Sequence, residues 1–143
     1  MTNKMLVGAL EKCDLPILKI EGLHVRVDTG AATSSLHVDN IEEFDHDGEA
    51  WVRFDIHPDY HDVKKVVRRE SKVVDIRRIK SSSGDMQKRY VIETNIVMAD
   101  QTWSILLSLS DRSSMSYLML LGRQAMNGRI IVDPEQEYLL ANK

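Results

Sequence analysis

Along most of this chain apolar residues recur at every second position, the period of a strand with one buried face. Leu23, Val25 and Val27 alternate with His24 and Arg26. Val52, Phe54 and Ile56 alternate with Trp51, Arg53 and Asp55, and Trp103, Ile105, Leu107 and Leu109 fall on one face of residues 102–109. Further strands are predicted over residues 5–10, 17–20, 34–38 and 90–98, with Gly22 separating residue 20 from the strand that ends at Asp28. The unbroken apolar run 118–121 predicts a strand buried on both faces. Asp45-His46-Asp47-Gly48 has the Asp-Gly chemistry of a hairpin turn and leads into residues 50–56, which His57-Pro58-Asp59 stops. Ala99-Asp100-Gln101 joins the strands at 90–98 and 102–109, and residues 111–114 are predicted to be a loop. Residues 123–127 predict one short helix capped by Gly128. Residues 129–133 and 138–141 predict a closing hairpin around Pro134. With no repeat, linker or low-complexity tract, the pattern predicts an all-β fold with one short helix, as one domain over residues 1–143.

Composition narrows this only a little. The 143 residues are 43% hydrophobic and 29% charged, with a net charge of −3, which describes a globular chain and names no partner. The single Cys13 excludes an internal disulfide framework and a Cys-based zinc site, and a cytoplasmic protein is expected. No segment approaches the roughly 20 apolar residues that span a bilayer, so no membrane anchor is expected.

Charge distribution says more. Ten of the 19 Lys and Arg lie in residues 64–89, against Glu70, Asp75 and Asp85, so that stretch carries +7 and the remainder −10. With Ser81-Ser82-Ser83-Gly84-Asp85 at its centre it predicts one long hairpin with a mobile tip. A basic arm of this kind, Arg77 and Arg78 included, concentrates polyanionic peptides; it also serves simply to keep an exposed edge soluble. Nucleic acid is a poorer partner, because the arm lacks interleaved aromatics and the rest of the chain is acidic.

Candidate chemistry gathers at Asp28-Thr29-Gly30-Ala31. Asp and Gly have poor strand propensity, so a strand that delivers a carboxylate, a hydroxyl and a glycine in succession invites a chemical reason. Gly122, inside an apolar run, fits a place where backbones meet and a Cβ has no room. Asp28-Thr29-Gly30-Ala31, the hairpin tipped at Ser83-Gly84 and Leu120-Leu121-Gly122-Arg123 occur in the order seen in retropepsin-like aspartic proteases. The chain resembles that superfamily. A tighter resemblance is to a bacterial and archaeal family labelled ATP-dependent zinc protease, whose members accompany RimK-type ATP-grasp ligases that add glutamates to protein tails. It is carried by Gly8 with Leu15-Pro16, Thr33-Ser34, Leu36-His37, Asp47-Gly48 with Trp51-Val52-Arg53-Phe54, His57-Pro58, Ser82-Ser83-Gly84, Met119 to Arg123 and Val132-Asp133-Pro134.

The resemblance implies a small closed six-stranded-type acid-protease barrel, half of a pepsin, with a flap-like hairpin. It implies a catalytic role for Asp28, Thr29 and Gly30, substrate contacts at Ala31, Ser82, Ser83 and Gly84, and support from Leu121, Gly122 and Arg123. Ala32 departs from the pattern. Retropepsins usually place an acid there to pair with the arginine at the position of Arg123, so Arg123 needs another partner.

One chain supplies one such acid, whereas amide hydrolysis by this route needs two carboxylates sharing a proton. The expectation is therefore a homodimer pairing Asp28 with its own copy and hydrolysing peptide or isopeptide bonds, in glutamate-rich protein tails if the ligase association is a guide. Two alternatives stand beside it: a non-catalytic peptide-binding module of the same fold, and a zinc peptidase using Asp28 and His37. The zinc label finds no His-Glu-x-x-His in the chain, and His24, His37, His46, His57 and His61 are scattered. No phosphate-binding Gly-x-x-x-x-Gly-Lys-Ser/Thr loop is present either. No cofactor is expected; ATP is read as the property of the neighbouring ligase. Cys13, Tyr90, Trp103 and the serines at 81–83 show no activating pattern, Cys13 being read as a loop residue.

Overall fold

The computed structural model describes residues 3–57, 65–80, 84–110 and 117–140, without the side chains of 79 and 80. In chain order the elements are β1 (Met5–Val7), β2 (Leu10–Leu15), β3 (Ile20–Val27), β4 (Ser34–His37), β5 (Asp39–His46), β6 (Glu49–Ile56), β7 (Val67–Lys72), β8 (Asp75–Lys80), β9 (Met86–Met98), β10 (Gln101–Ser110), β11 (Met119–Leu121), α1 (Arg123–Met126) and β12 (Ile130–Val132). Six strands close on themselves. β10, β4, β11, β3, β2 and β9 are neighbours in that order, and β9 returns to pair with β10. The seam between β2 and β9 is narrow, a pairing of Asp14 with Val97. The fold is thus a nearly all-β closed barrel with one short helix, as a retropepsin-like chain requires.

Alternation explains the barrel interior. Leu23, Val25 and Val27 from β3, Leu36 from β4, Leu107 and Leu109 from β10, and Met119 and Leu121 from β11 are all buried. Each such side chain contributes about 1.5–3 kcal/mol on leaving water. Leu118 and Leu120 are half-buried, so the apolar run 118–121 presents one buried face and not two. Outside the barrel, β5, β6 and β7 form a three-stranded sheet, joined at its first corner by Asp47 and Gly48, both at positive φ (53° and 81°). That is the turn the Asp-Gly pair predicts.

Several elements differ from the sequence pattern. Residues 5–10 are two strands split at Gly8, whose N–H is taken by Glu11 Oε2 at 2.8 Å. Residues 16–19 are a turn in which Leu18 is buried and Ile17 is 61% exposed. β3 runs through Gly22, because a bulge between Cys13 and Leu15 lets the Asp14 carboxylate take the Gly22 N–H at 2.8 Å. Cys13 lies in β2, buried. The basic stretch 64–89 is not one hairpin: β7 belongs with β5 and β6, and only β8 pairs with β9. Among the described residues there is no closing hairpin. β12 pairs in parallel with β1, and Tyr138 N–H instead donates to Leu10 O at 2.8 Å. The loop expected at 111–114 lies outside the described residues, as do Pro58, Asp59, His61 and Ser81 to Ser83.

Candidate functional site

Asp28 sits where β3 ends. Its backbone N–H donates to Leu121 O of β11 at 2.9 Å, and its carbonyl accepts the Ala31 N–H at 3.2 Å. Its side-chain Oδ1 accepts the Gly30 N–H at 2.9 Å. A Cβ on residue 30 would lie 3.2 Å from that same oxygen, so glycine gives the carboxylate its room. Asp28 is half-buried, and Thr29 and Gly30 are exposed. An acid fixed by a backbone donor and still open to solvent is placed for proton transfer.

The loop is held from below. β11 is inserted between β3 and β4, parallel to the first and antiparallel to the second, so residues 28–33 must arch over its end. Gly122 follows β11 at the crossing. A Cβ there would meet Thr33 C at 2.7 Å, Thr33 O at 2.9 Å and Ala31 O at 3.0 Å; backbone fills the space any other residue needs. Gly122 N–H donates to the buried Ser34 Oγ at 3.0 Å. The next two backbone N–H groups, of Arg123 and Gln124, donate to Ala31 O and Ala32 O at 2.8 and 3.0 Å. The first turn of α1 therefore satisfies its open donors with the carbonyls of the Asp28 loop. The Arg123 side chain finds its partner here too: Nη1 donates to Thr29 O at 2.9 Å. That bond replaces the acid that Ala32 does not supply.

From above, β8 reaches the same loop. Arg77 Nη1 donates to Thr33 Oγ1 at 3.0 Å, while its Nε donates to Asp75 Oδ2 at 3.1 Å. Thr33 Oγ1 passes its own proton toward Gln124 Oε1 at 3.3 Å. Arg78 is one residue away and so on the other face of the strand. There its cross-strand partner is Lys88, and Lys88 Nζ and Tyr90 Oη both donate to Glu43 Oε1, at 3.2 and 2.8 Å. The Tyr90 hydrogen bond, and then that of Lys88, holds the Glu43 carboxyl below its usual range. Burial, and then Glu43, pushes the Tyr90 phenol up. The structure thus brings Asp28, Thr29, Gly30, Ala31, Leu121, Gly122, Arg123 and Arg77 together and turns Arg78 away. Gly84 is an exposed tip residue. Ser82 and Ser83 lie outside the described residues.

His37 is drawn toward Asp39. Its Nε2 lies 3.6 Å from Asp39 Oδ1, and His57 Nε2 lies 2.5 Å from Asp39 Oδ2, with the two rings stacked 6.5 Å apart. Among the described residues no three His, Cys, Asp or Glu side chains are placed to hold one metal ion. Cys13 is buried and its thiol is pushed up to about 12, by burial first and then by the Asp14 charge. Such a thiol is inert.

Two groups were missed by sequence reasoning. Buried Glu11 accepts backbone N–H groups from Gly8, Leu139 and Leu140; its place two residues before Cys13 and four before Leu15, on the buried face of β2, was its only signal. Arg89 is the direct cross-strand partner of Arg77, and counting back from a turn centred on residue 83 finds it.

A family model described as RimB-like, retropepsin-like aspartic endopeptidase RimB, matches residues 6–143. The chain is 46% identical over 141 residues to the probable alpha-L-glutamate ligase of Shewanella pealeana, covering 99% of this chain and 31% of that protein. It is 46% identical over 142 residues to the protein of the same name from Parasynechococcus marenigrum, covering 99% and 30%. The chain therefore spans about a third of the length of the curated relatives it matches. It superposes on the crystal structure of Lpg0085 from Legionella pneumophila, described as of unknown function. The TM-score is 0.76 at 27% identity, over 97% of this chain and 99% of that one. None of these descriptions names a zinc protease.

Proposed function

This chain belongs to the RimB-like family of retropepsin-like aspartic endopeptidases, and on that premise we propose that it is an aspartic-type peptidase working as a homodimer. The observation that carries the reading is the presentation of Asp28. Its loop is pinned by β11, Gly122, Arg123 and Gln124, its carboxylate is fixed by Gly30, and each chain has one Asp-Thr-Gly. A second copy supplies the second acid across a twofold axis, with Thr29 gripping the partner loop through its hydroxyl.

Two carboxylates about 3 Å apart cannot both ionise readily, so they share one proton. The ionised one takes a proton from a bound water, and the resulting hydroxide adds to the amide carbon. The protonated one donates to the carbonyl oxygen. Collapse of the tetrahedral intermediate then breaks the C–N bond, with proton transfer to the leaving nitrogen.

The substrate class follows from charge. The stretch 64–89 carries +7 in a chain of −3, and part of it overhangs the Asp28 loop through Arg77. Relatives named as glutamate ligases are consistent with an acidic tail as substrate and a glutamate ligase as functional partner. The test is Asp28→Asn. Loss of peptidase activity by at least about 100-fold is expected, in a protein that sediments as a dimer with unchanged circular dichroism. Retained activity, or an active wild-type monomer, overturns the proposal.

A further inference from the structure

We infer that Arg77 is a positioning residue: by docking on the Thr33 hydroxyl it holds the β8–β9 hairpin over the Asp28 loop, so that hairpin and loop act as one unit during peptide cleavage; this rests on the peptidase reading above. In β9, residues 91–98 lie against β10, whereas residues 86–90 have β8 as their strand neighbour. Residues 75–80 and 86–90 thus form a two-stranded ribbon that runs on beyond the barrel. Such a ribbon is marginally stable by itself. No described side chain of residues 75–90 is buried, and Ile76 and Met86 are 37% and 61% exposed. Without an apolar core beneath the ribbon, polar anchors set where it lies.

Thr33 is suited to be such an anchor. Its backbone fills the space beside Gly122, 2.7 Å from where a Cβ would stand, and Ser34 opens β4 directly after it. The residue therefore belongs to the fixed framework under the site. Its hydroxyl works in both directions, accepting from Arg77 Nη1 at 3.0 Å and donating to Gln124 Oε1 at 3.3 Å. One hydroxyl joins β8, the Asp28 loop and α1; a valine of the same shape can do neither. Asp75 Oδ2, 3.1 Å from Arg77 Nε, aims the guanidinium. With two of its nitrogens committed to the protein, Arg77 suits a clamp better than a substrate contact. On the opposite face of the ribbon, Tyr90 and Lys88 reach Glu43 of β5, so the ribbon is held from both sides. Losing the clamp leaves the hydrogen bonds of Asp28 intact. Peptide still binds, but fewer complexes have the hairpin in place, and the defect falls on kcat.

The experiment uses the full chain and an oligoglutamate peptide. Arg77→Gln and Thr33→Val are each expected to lower kcat about 3- to 10-fold with little change in KM. The double variant is expected to lose no more than either alone. Thr33→Ser, which keeps the hydroxyl, is expected to recover most of what Thr33→Val loses. Amide hydrogen exchange of residues 75–78 and 86–90, measured without peptide, is expected to quicken about 3- to 10-fold in both single variants. Additive losses in the double variant, a rise in KM confined to Arg77→Gln, or unchanged exchange in Thr33→Val overturns the proposal. So does an equal quickening in Arg78→Gln, which removes the same charge from the opposite face. If wild type cleaves no peptide while exchange quickens in Arg77→Gln and Thr33→Val, the docking of Arg77 on Thr33 stands and the peptidase reading fails.

Discussion

At Gly122 a single hydrogen atom decides whether the Asp28 loop can close. Because the colliding atoms of Thr33 and Ala31 are backbone, Gly122→Ala cannot be relieved by a rotamer change. It is expected to cost about 2–3 kcal/mol in urea denaturation, and to lower kcat more than KM, since what moves is the acid. Glu11 is the second residue on which much depends. Its buried carboxylate satisfies three backbone donors, and removing it leaves them unpaired at about 1–3 kcal/mol each. Glu11→Ala is expected to loosen residues 138–140 first, visible as faster hydrogen exchange at Leu139 and Leu140. Cys13 gives a control on burial. With its thiol near 12, the folded protein at pH 8 is expected to resist alkylation that goes to completion in urea.

Elements held by strong local signals formed where the pattern placed them. The Asp47-Gly48 turn and the β9–β10 hairpin need only neighbours in sequence, and β6 shows the alternation of Val52, Phe54 and Ile56 in its burial. The basic stretch did not, because its two arms have better partners than each other. β7 completes a sheet through Arg53–Glu70 and Arg68–Asp55 ion pairs, whereas β8 takes β9. That outer sheet carries a pH dependence of defined sign. Asn40, and then Arg68, hold the Asp55 carboxyl below its usual value. The contribution is therefore complete above the unfolded value of about 4 and is lost as pH falls through the folded one. Asp55→Asn is expected to flatten the fall in thermal midpoint below about pH 4. Glu43, depressed through Tyr90 and Lys88, loosens in the same direction, and with it the strap between the β8–β9 hairpin and β5.

For the whole molecule, the decisive quantity is how many copies share a site. A random mixture of wild type with about a ninefold excess of Asp28→Asn should lose about tenfold in activity per wild-type chain, because most wild-type subunits then face a dead partner. Unchanged specific activity would show that each chain works alone. Cleavage of oligoglutamate should also weaken steeply between low and moderate salt; a flat response would remove charge from substrate selection. No helix among the described residues is long and apolar enough to cross a membrane.

Period-two alternation, turn chemistry and the Asp-Thr-Gly and Leu-Leu-Gly-Arg motifs are local, so the chain by itself specified strands, pointed through resemblance to the barrel class, and singled out the Asp28 loop as the candidate site. What it left open were pairings between distant segments. Only the folded chain threaded β11 between β3 and β4, gave Arg123 the Thr29 carbonyl in place of an acid at position 32, split the basic stretch between two sheets, and set Arg89 rather than Arg78 beside Arg77. Each of these depends on which backbone finds which partner across tens of residues. That choice is made by competition for hydrogen bonds and burial over the whole barrel, and no window of sequence contains both competitors.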